Sequence, residues 1–222
     1  MKKLLLILRP KTSFFLPMQL IIKKSLIIFL LIFYFLIPNH SISNENGVED
    51  YGIISLMYHR FEENKYPSTN IKVDDFNKHI EIIEKNKLSF INPKNFEDDL
   101  VSKKKKRKVL LTIDDGFLSF YQNAWPILKN KKIPFILFVS TREVGKFNYM
   151  SWDQIREIAK QDFVEIGNHS HTHEYLVDLK SLDIQDDIKK SISIFKKELG
   201  YNSNFFSYPF GEYSLEFKKI IK

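Results

Sequence analysis

Short apolar runs alternate with amphipathic segments along most of the chain, and this alternation constrains the fold more than any other feature. Apolar runs predict strands, and apolar residues repeating every three or four positions predict helices. Strands are predicted at residues 52–58, 109–113, 133–139, 163–166 and 205–208, and helices at 73–87, 117–130, 152–160 and 182–199. Strands joined through helices run parallel, because the chain must cross back over the sheet before each new strand. The sequence therefore predicts an α/β protein, either a barrel or an open sheet with helices on both faces.

The first 43 residues have the composition and order of an export signal. They contain six of the 34 lysine and arginine residues and none of the 27 acidic residues. Lys23 and Lys24 precede an apolar stretch at residues 25–37, and small residues follow at 41–43, as in a secretory signal peptide. The apolar stretch is shorter than the roughly 20 residues that span a bilayer. We therefore expect an exported protein, periplasmic or extracellular, with cleavage near residue 43; an uncleaved membrane anchor is the alternative.

The rest of the sequence predicts one folded domain at residues 51–222, joined to the leader at 1–43 by a short polar linker at 44–50. Hydrophobic residues make up 44% of the chain, which is enough for a substantial core. The chain has no cysteine, so any metal ion must be held by histidine or carboxylate side chains. The basic run at 103–108 lacks interleaved aromatic residues and is interpreted as a solvated loop, so we expect no nucleic-acid partner.

Two adjacent carboxylates, Asp114 and Asp115, follow the strand predicted at 109–113 and precede Gly116. One interpretation is a helix-capping turn, because Asp and Gly are common in such places. The other is a functional site, because active sites of barrels and open α/β sheets lie at the carboxyl ends of their strands. Polar residues elsewhere in the chain must decide between the two.

A histidine cluster and an aromatic turn follow two other predicted strands. His169, His171 and His173 come directly after the strand at 163–166, and an aromatic turn at 208–211 follows the last strand. If residues 169–173 form a helical turn, His169 and His173 share one face at the spacing that lets two imidazoles bind one metal ion. His171 would point elsewhere and is the second choice as a ligand. Two histidines and one aspartate leave a coordination position open, which is typical of a catalytic metal site.

The three segments resemble the motifs of the polysaccharide deacetylases, also called carbohydrate esterase family 4 or the NodB homology domain. Thr-Ile-Asp-Asp-Gly at 112–116 is similar to the first motif, and His-Ser-His-Thr-His at 169–173 is similar to the second. Tyr-Pro-Phe-Gly at 208–211 resembles the third motif. Ser-Leu-Met-Tyr-His-Arg-Phe at 55–61 resembles the opening strand of the branch that acts on exported poly-N-acetylglucosamine.

The resemblance implies a distorted (β/α) barrel and a metal-dependent hydrolase that removes N-acetyl groups from an N-acetylglucosamine-type polysaccharide. It assigns Asp114 as the general base, Asp115, His169 and His173 as ligands of a divalent metal ion, expected to be zinc, and Tyr208, Pro209, Phe210 and Gly211 to substrate binding. These roles suit the chemistry, because a metal ion lowers the pKa of water and polarises the acetyl carbonyl. A neighbouring carboxylate then accepts the proton.

The sequence departs from the family pattern in two places. An arginine that commonly lies near Ser207 and orients the base is absent. The family pattern also continues past residue 222 with a Leu-x-His motif whose histidine is the general acid, so we expect a chain truncated at its C-terminus that binds metal but deacetylates slowly. His59 could reach the site from the end of the first predicted strand, whereas His79 is expected to be exposed on a helix.

Two other functions stay open. One is a catalytically impaired remnant or carbohydrate-binding pseudoenzyme of the same fold, which would keep the metal ion without turnover. The other is a different metallohydrolase on a similar barrel, which the order of the three motifs disfavours.

Overall fold

The structure of the protein, a computed structural model, describes residues 52–102 and 106–222. The leader and linker predicted at 1–50 lie outside the described residues, as do residues 103–105, the first half of the basic run. Within the described ranges, no helix is both long enough and apolar enough to cross a membrane.

The strands and helices alternate along most of the described chain. The strands are β1 (Ile53–Tyr58), β2 (Arg60–Phe61), β3 (Asn70–Ile71), β4 (Ser89–Phe90), β5 (Lys108–Ile113), β6 (Phe135–Val139) and β7 (Val164–Asn168). The helices are α1 (Val73–Lys85), α2 (Phe96–Val101), α3 (Trp125–Lys131), α4 (Trp152–Ala159), α5 (Ser181–Leu199) and α6 (Leu215–Ile220). Short 3₁₀ turns lie at Pro93–Asn95, Leu176–Asp178 and Pro209–Gly211, and a π-helical turn at Phe120–Ala124.

The main sheet is parallel, with neighbouring strands in the order β1, β5, β6, β7. β4 pairs with the first residues of β5, while β2 and β3 pair with each other. The register aligns Tyr58 with Ile113, Ile113 with Leu137, and Leu137 with Ile166. The carboxyl ends of these strands therefore lie at one edge of the sheet, where the predicted site residues follow them.

The core lies on both faces of this sheet. All five residues of β6 are buried, as are the last five residues of β5, which is typical of parallel strands covered on both faces. The helix α1 contributes Phe76, Ile80 and Ile83, which repeat every three or four residues and are buried. Buried helix and strand residues together form a continuous hydrophobic cluster, which holds the site edge in place.

The predicted α/β fold with a parallel sheet is confirmed, and closure of the sheet into a barrel stays a prediction. The strand predicted at 205–208 is reduced to one parallel bridge between Phe206 and Asn168. The chain turns at Pro209, which has no N–H to continue the pairing. The helix predicted at 117–130 is also interrupted, because Pro126 cannot donate to the preceding turn and a π-helical turn precedes α3.

Candidate metal centre

The two aspartates leave β5 in different environments because the backbone changes direction between them. The Asp114 N–H donates to the Tyr58 carbonyl at 2.8 Å, so Asp114 continues the pairing of β5 with β1. Asp115 and Gly116 then adopt left-handed conformations with φ of 72° and 76°, which aspartate tolerates better than most residues. A turn is therefore present, as the capping interpretation expected, but the Asp115 carboxylate contacts two histidines.

Asp115, His169 and His173 converge on one point. Asp115 Oδ1 lies 3.4 Å from His169 Nε2 and 3.1 Å from His173 Nε2. One ligand atom from each residue lies within 4.8 Å of the others. Two imidazole nitrogens and a carboxylate oxygen in this arrangement fit a divalent cation such as zinc, and three protein ligands leave a position open for substrate.

The histidine loop is not a helix, so a helical turn is not what places His169 and His173 on one side. Ser170 and His173 have left-handed φ values of 68° and 54°, and the segment after β7 is bent rather than helical. Asn168 Oδ1 accepts from the Ser170 N–H at 2.9 Å, and Ser170 Oγ accepts from the His173 N–H at 3.0 Å. Side-chain hydrogen bonds to the backbone, rather than a helical repeat, bring His169 and His173 together.

His171, the second choice as a ligand, lies outside the group formed by Asp115, His169 and His173. Its Nδ1 makes a hydrogen bond of 2.8 Å with Thr141 Oγ1, and its side chain is buried. Burial lowers the pKa of His171. The loop thus places the two outer histidines at the site and the middle one against Thr141, two residues beyond β6.

Ser207 supports both His169 and Asp114. The Ser207 carbonyl accepts a hydrogen bond from His169 Nδ1 at 2.8 Å, so the other ring nitrogen, Nε2, carries the lone pair that a metal ion needs. The Ser207 hydroxyl donates to Asp114 Oδ2 at 3.2 Å. Ser207 therefore contacts the same carboxylate that the arginine of the family pattern would orient. A small serine at this position did not indicate that role in the sequence.

The two aspartates are both largely buried, but their pKa values shift in opposite directions. Asp114 is 3% exposed, and this desolvation raises its pKa, partly offset by His169 and His59. Burial would raise the pKa of Asp115 as well, but hydrogen bonds with His169 and His173 outweigh it and hold that pKa well below its usual range. For His169, burial lowers the pKa, but contact with Asp115 and Asp114 reverses the direction and raises it. Adjacent aspartates thus differ sharply in acidity.

The predicted substrate-binding residues separate into exposed and buried members. Phe210 is 62% exposed, and its ring centroid lies 4.8 Å from that of His173. Tyr208 instead packs against Phe217, with centroids 5.0 Å apart, and Pro209 is buried. Gly211 completes the turn with φ of 72°. Phe210 is therefore the member of this set whose ring is free to contact a substrate.

A cavity of about 370 Å³ adjoins the metal centre, and its lining includes Asp115, His173, Phe117, Arg142, Glu143 and Tyr149. Phe117 and Tyr149 pack with ring centroids 4.9 Å apart and planes inclined by 36°. Arg142 donates to Glu174 and to the Thr172 carbonyl at 3.0 and 2.7 Å. The cavity therefore combines an aromatic wall with charged groups, a lining suited to a polar molecule such as a sugar.

Asp187 on α5 anchors the histidine loop, and sequence reasoning missed it. Its carboxylate accepts from the His171 N–H at 2.7 Å and from the N–H and hydroxyl of Thr172 at 3.1 and 2.6 Å. Asp187 is 8% exposed, so its removal would leave buried donors without partners. In the sequence, the only indication of this role is that Asp187 is an acidic residue on the apolar face of a predicted helix.

Replacing Asp187 with alanine is expected to lower the free energy of unfolding by at least about 2 kcal/mol, because each unsatisfied buried group costs about 1–3 kcal/mol. We also expect zinc affinity to fall about 10- to 100-fold, the usual effect of losing a group that orients a ligand. Chemical denaturation and calorimetric zinc titration measure the two effects. The neighbouring exposed Asp186→Ala is the matched control; equal results for both variants would contradict the anchoring role of Asp187.

The chain matches known proteins in both sequence and fold. The family model described as polysaccharide deacetylase matches residues 101–222. The chain belongs to the polysaccharide deacetylase family. The resemblance seen in the motifs is thus confirmed, and the matched range contains Asp114, Asp115 and the histidine loop.

Individual relatives point to the same branch that the sequence resembled. The structure of IcaB from Ammonifex degensii superposes with a TM-score of 0.71 and 28% identity, covering 77% of this chain and 79% of IcaB. YxkH of Bacillus subtilis (strain 168) is 28% identical over 163 residues, which cover 72% of this chain and 57% of YxkH. Poly-beta-1,6-N-acetyl-D-glucosamine N-deacetylase of Staphylococcus aureus (strain MSSA476) is 26% identical over 174 residues, covering 71% and 59%. The chain thus spans less than two thirds of these two curated relatives.

Proposed function

We propose that the protein is a metal-dependent hydrolase that removes acetyl groups from N-acetylglucosamine units of a polysaccharide. The observation that carries this proposal is the position of Asp114 beside the metal centre. Asp114 Oδ2 lies 3.9 Å from His169 Nε2, and, within the described residues, the buried Asp114 Oδ1 has no hydrogen-bond partner. A buried carboxylate oxygen left free at this point can accept a proton from water.

Each residue of the site has a separate role in the proposed amide hydrolysis. Asp115, His169 and His173 would hold the divalent cation, for which zinc fits the donor set; when bound, it would acidify water and polarise the acetyl carbonyl. Asp114 takes the proton from the attacking water while Ser207 holds its other oxygen. Water adds to the acetyl carbon, the C–N bond breaks, and acetate and a free amine are released.

His59 is the residue we assign to protonating the departing amine. It follows β1, whose last residue, Tyr58, pairs with Ile113 beside Asp114. Burial raises the pKa of Asp114 and His59 partly offsets that rise, while the carbonyl of Tyr58, the residue before His59, accepts from the Asp114 N–H at 2.8 Å. His79, in contrast, is exposed on α1 and makes a hydrogen bond with Tyr58 at 2.9 Å.

The substrate class follows from the comparisons and the cavity. A relative named for deacetylating poly-beta-1,6-N-acetyl-D-glucosamine matches most of this chain, and the cavity beside Asp115 is lined by aromatic and charged groups. We therefore assign a β-1,6-linked N-acetylglucosamine polymer as the substrate. A carbohydrate-binding pseudoenzyme is less well supported, because the metal ligands and Asp114 are all in place.

Acetate release from β-1,6-linked N-acetylglucosamine oligomers tests this function. We expect zinc-loaded protein to release acetate, EDTA to abolish the release, and added zinc to restore it, because neither water nor the acetyl carbonyl is activated without the cation. Acetate release that EDTA leaves unchanged would contradict metal dependence. Oligomer binding without any acetate release would instead favour the pseudoenzyme.

We also propose that residues 1–43 direct export to the periplasm or the cell exterior. The support is the order of basic, apolar and small residues in the sequence, and export would bring the enzyme to an exported polysaccharide. N-terminal sequencing of the mature protein is expected to find its first residue near 44. A mature chain that retains Lys23 and Lys24 would indicate a membrane anchor instead.

A further inference from the structure

Two exposed aromatic rings, Tyr175 and Phe210, form a surface beside the metal centre, here called the aromatic platform. Phe210 is 62% exposed and Tyr175 is 43% exposed. Their ring centroids lie 5.8 Å apart, and the Phe210 ring lies 4.8 Å from the ring of His173. The platform therefore continues directly from a metal-binding side chain to the protein surface.

The platform is held in place although it contributes little to the core. Leu176, next to Tyr175, is 2% exposed and packs with Ile184 and Ile188, which fixes the backbone under the tyrosine. Phe210 has φ of 60° and ψ of 7°, a left-handed conformation that is uncommon for a bulky residue. Such strain costs roughly 1–3 kcal/mol and is concentrated at functional sites.

We infer that the platform, and Tyr175 in particular, binds a second sugar ring of the polysaccharide, next to the sugar that is deacetylated. This inference rests on the proposed function. The cavity at the metal centre measures about 370 Å³, near the lower end for small-molecule sites, so a polymer bound there extends beyond it. His173 lines the cavity and also contacts Phe210, so the platform is the adjoining surface.

The chemistry of the platform suits a pyranose ring. The face of an aromatic ring is electron-rich, and it attracts the partly positive C–H groups on the flat side of a sugar.

Calorimetric titration with a β-1,6-linked N-acetylglucosamine pentasaccharide tests the inference. Zinc-loaded full-length chain carrying Asp114→Asn is used, so that the sugar is not consumed. Adding Tyr175→Ala is expected to weaken pentasaccharide binding about tenfold, the upper end of what an aromatic contact contributes. Binding of the monosaccharide is expected to stay unchanged, and Tyr175→Phe is expected to retain pentasaccharide affinity.

Tyr201→Ala is the matched control, because Tyr201 is 37% exposed and interacts with Glu165 in the first half of β7, away from the carboxyl edge. Equal pentasaccharide affinity with and without Tyr175→Ala would overturn the inference. So would a parent chain that binds the pentasaccharide no more tightly than the monosaccharide. If Tyr175→Ala weakens pentasaccharide binding but the unmodified chain releases no acetate, the role of the platform in sugar binding is supported and the proposed hydrolysis is contradicted.

Discussion

Zinc affinity is expected to fall at least about 100-fold in His173→Ala and in His169→Ala, and to change no more than a few-fold in His171→Ala. The outer histidines place Nε2 within 3.1 and 3.4 Å of Asp115 Oδ1, whereas His171 makes its hydrogen bond with Thr141. Groups that merely orient a metal ligand are already worth about 10- to 100-fold, so losing a ligand should cost more. Calorimetric zinc titration of the three purified variants measures the difference.

His171→Ala is also the control for damage to the loop. It removes a buried hydrogen bond, so we expect its free energy of unfolding to fall by about 1 kcal/mol, measured by chemical denaturation without metal. Unchanged zinc affinity in a less stable His171→Ala protein would show that His171 stabilises the fold without binding the metal ion. Loss of zinc binding in His171→Ala, with retention in His173→Ala, would show that the ligand assignment is wrong.

Turnover is expected to fall about 100- to 10,000-fold in Asp114→Asn, the usual contribution of a general base. Asparagine has nearly the same shape as aspartate and can still accept from the Ser207 hydroxyl, so zinc affinity should stay within a few-fold. Acetate release and zinc titration on the same preparation give both values. Asp153→Asn is the matched control because that side chain is 90% exposed on α4; an Asp114→Asn enzyme as fast as this control would exclude Asp114 as the base.

The same assay tests how the departing amine is protonated. His59, next to Tyr58 at the end of β1, is the candidate for that role, so His59→Ala should lower the rate, while His79→Ala on the exposed face of α1 should not. Equal rates for the two variants would remove His59 from the mechanism.

The α/β fold could be predicted from the sequence because parallel strands buried on both faces are continuous apolar runs. β5, β6 and β7 lie within three residues of their predicted bounds. The two-residue strands β2 and β3 could not be predicted, because each pairs only with the other through tertiary proximity. The π-helical turn before Pro126 could likewise not be predicted, because the apolar spacing of residues 117–130 resembles that of an ordinary helix.

The sequence by itself determined which groups meet: Asp114, Asp115 and the outer histidines all follow carboxyl ends of strands in one parallel sheet. Only the tertiary structure decided how they meet. The loop at 169–173 is shaped by hydrogen bonds from Asn168, Ser170 and the distant Asp187, not by a helical repeat. A polar contact between residues far apart in sequence produces no periodic pattern, so the contact between Ser207 and Asp114 could not be predicted from the sequence. It forms because the sheet brings the two segments together.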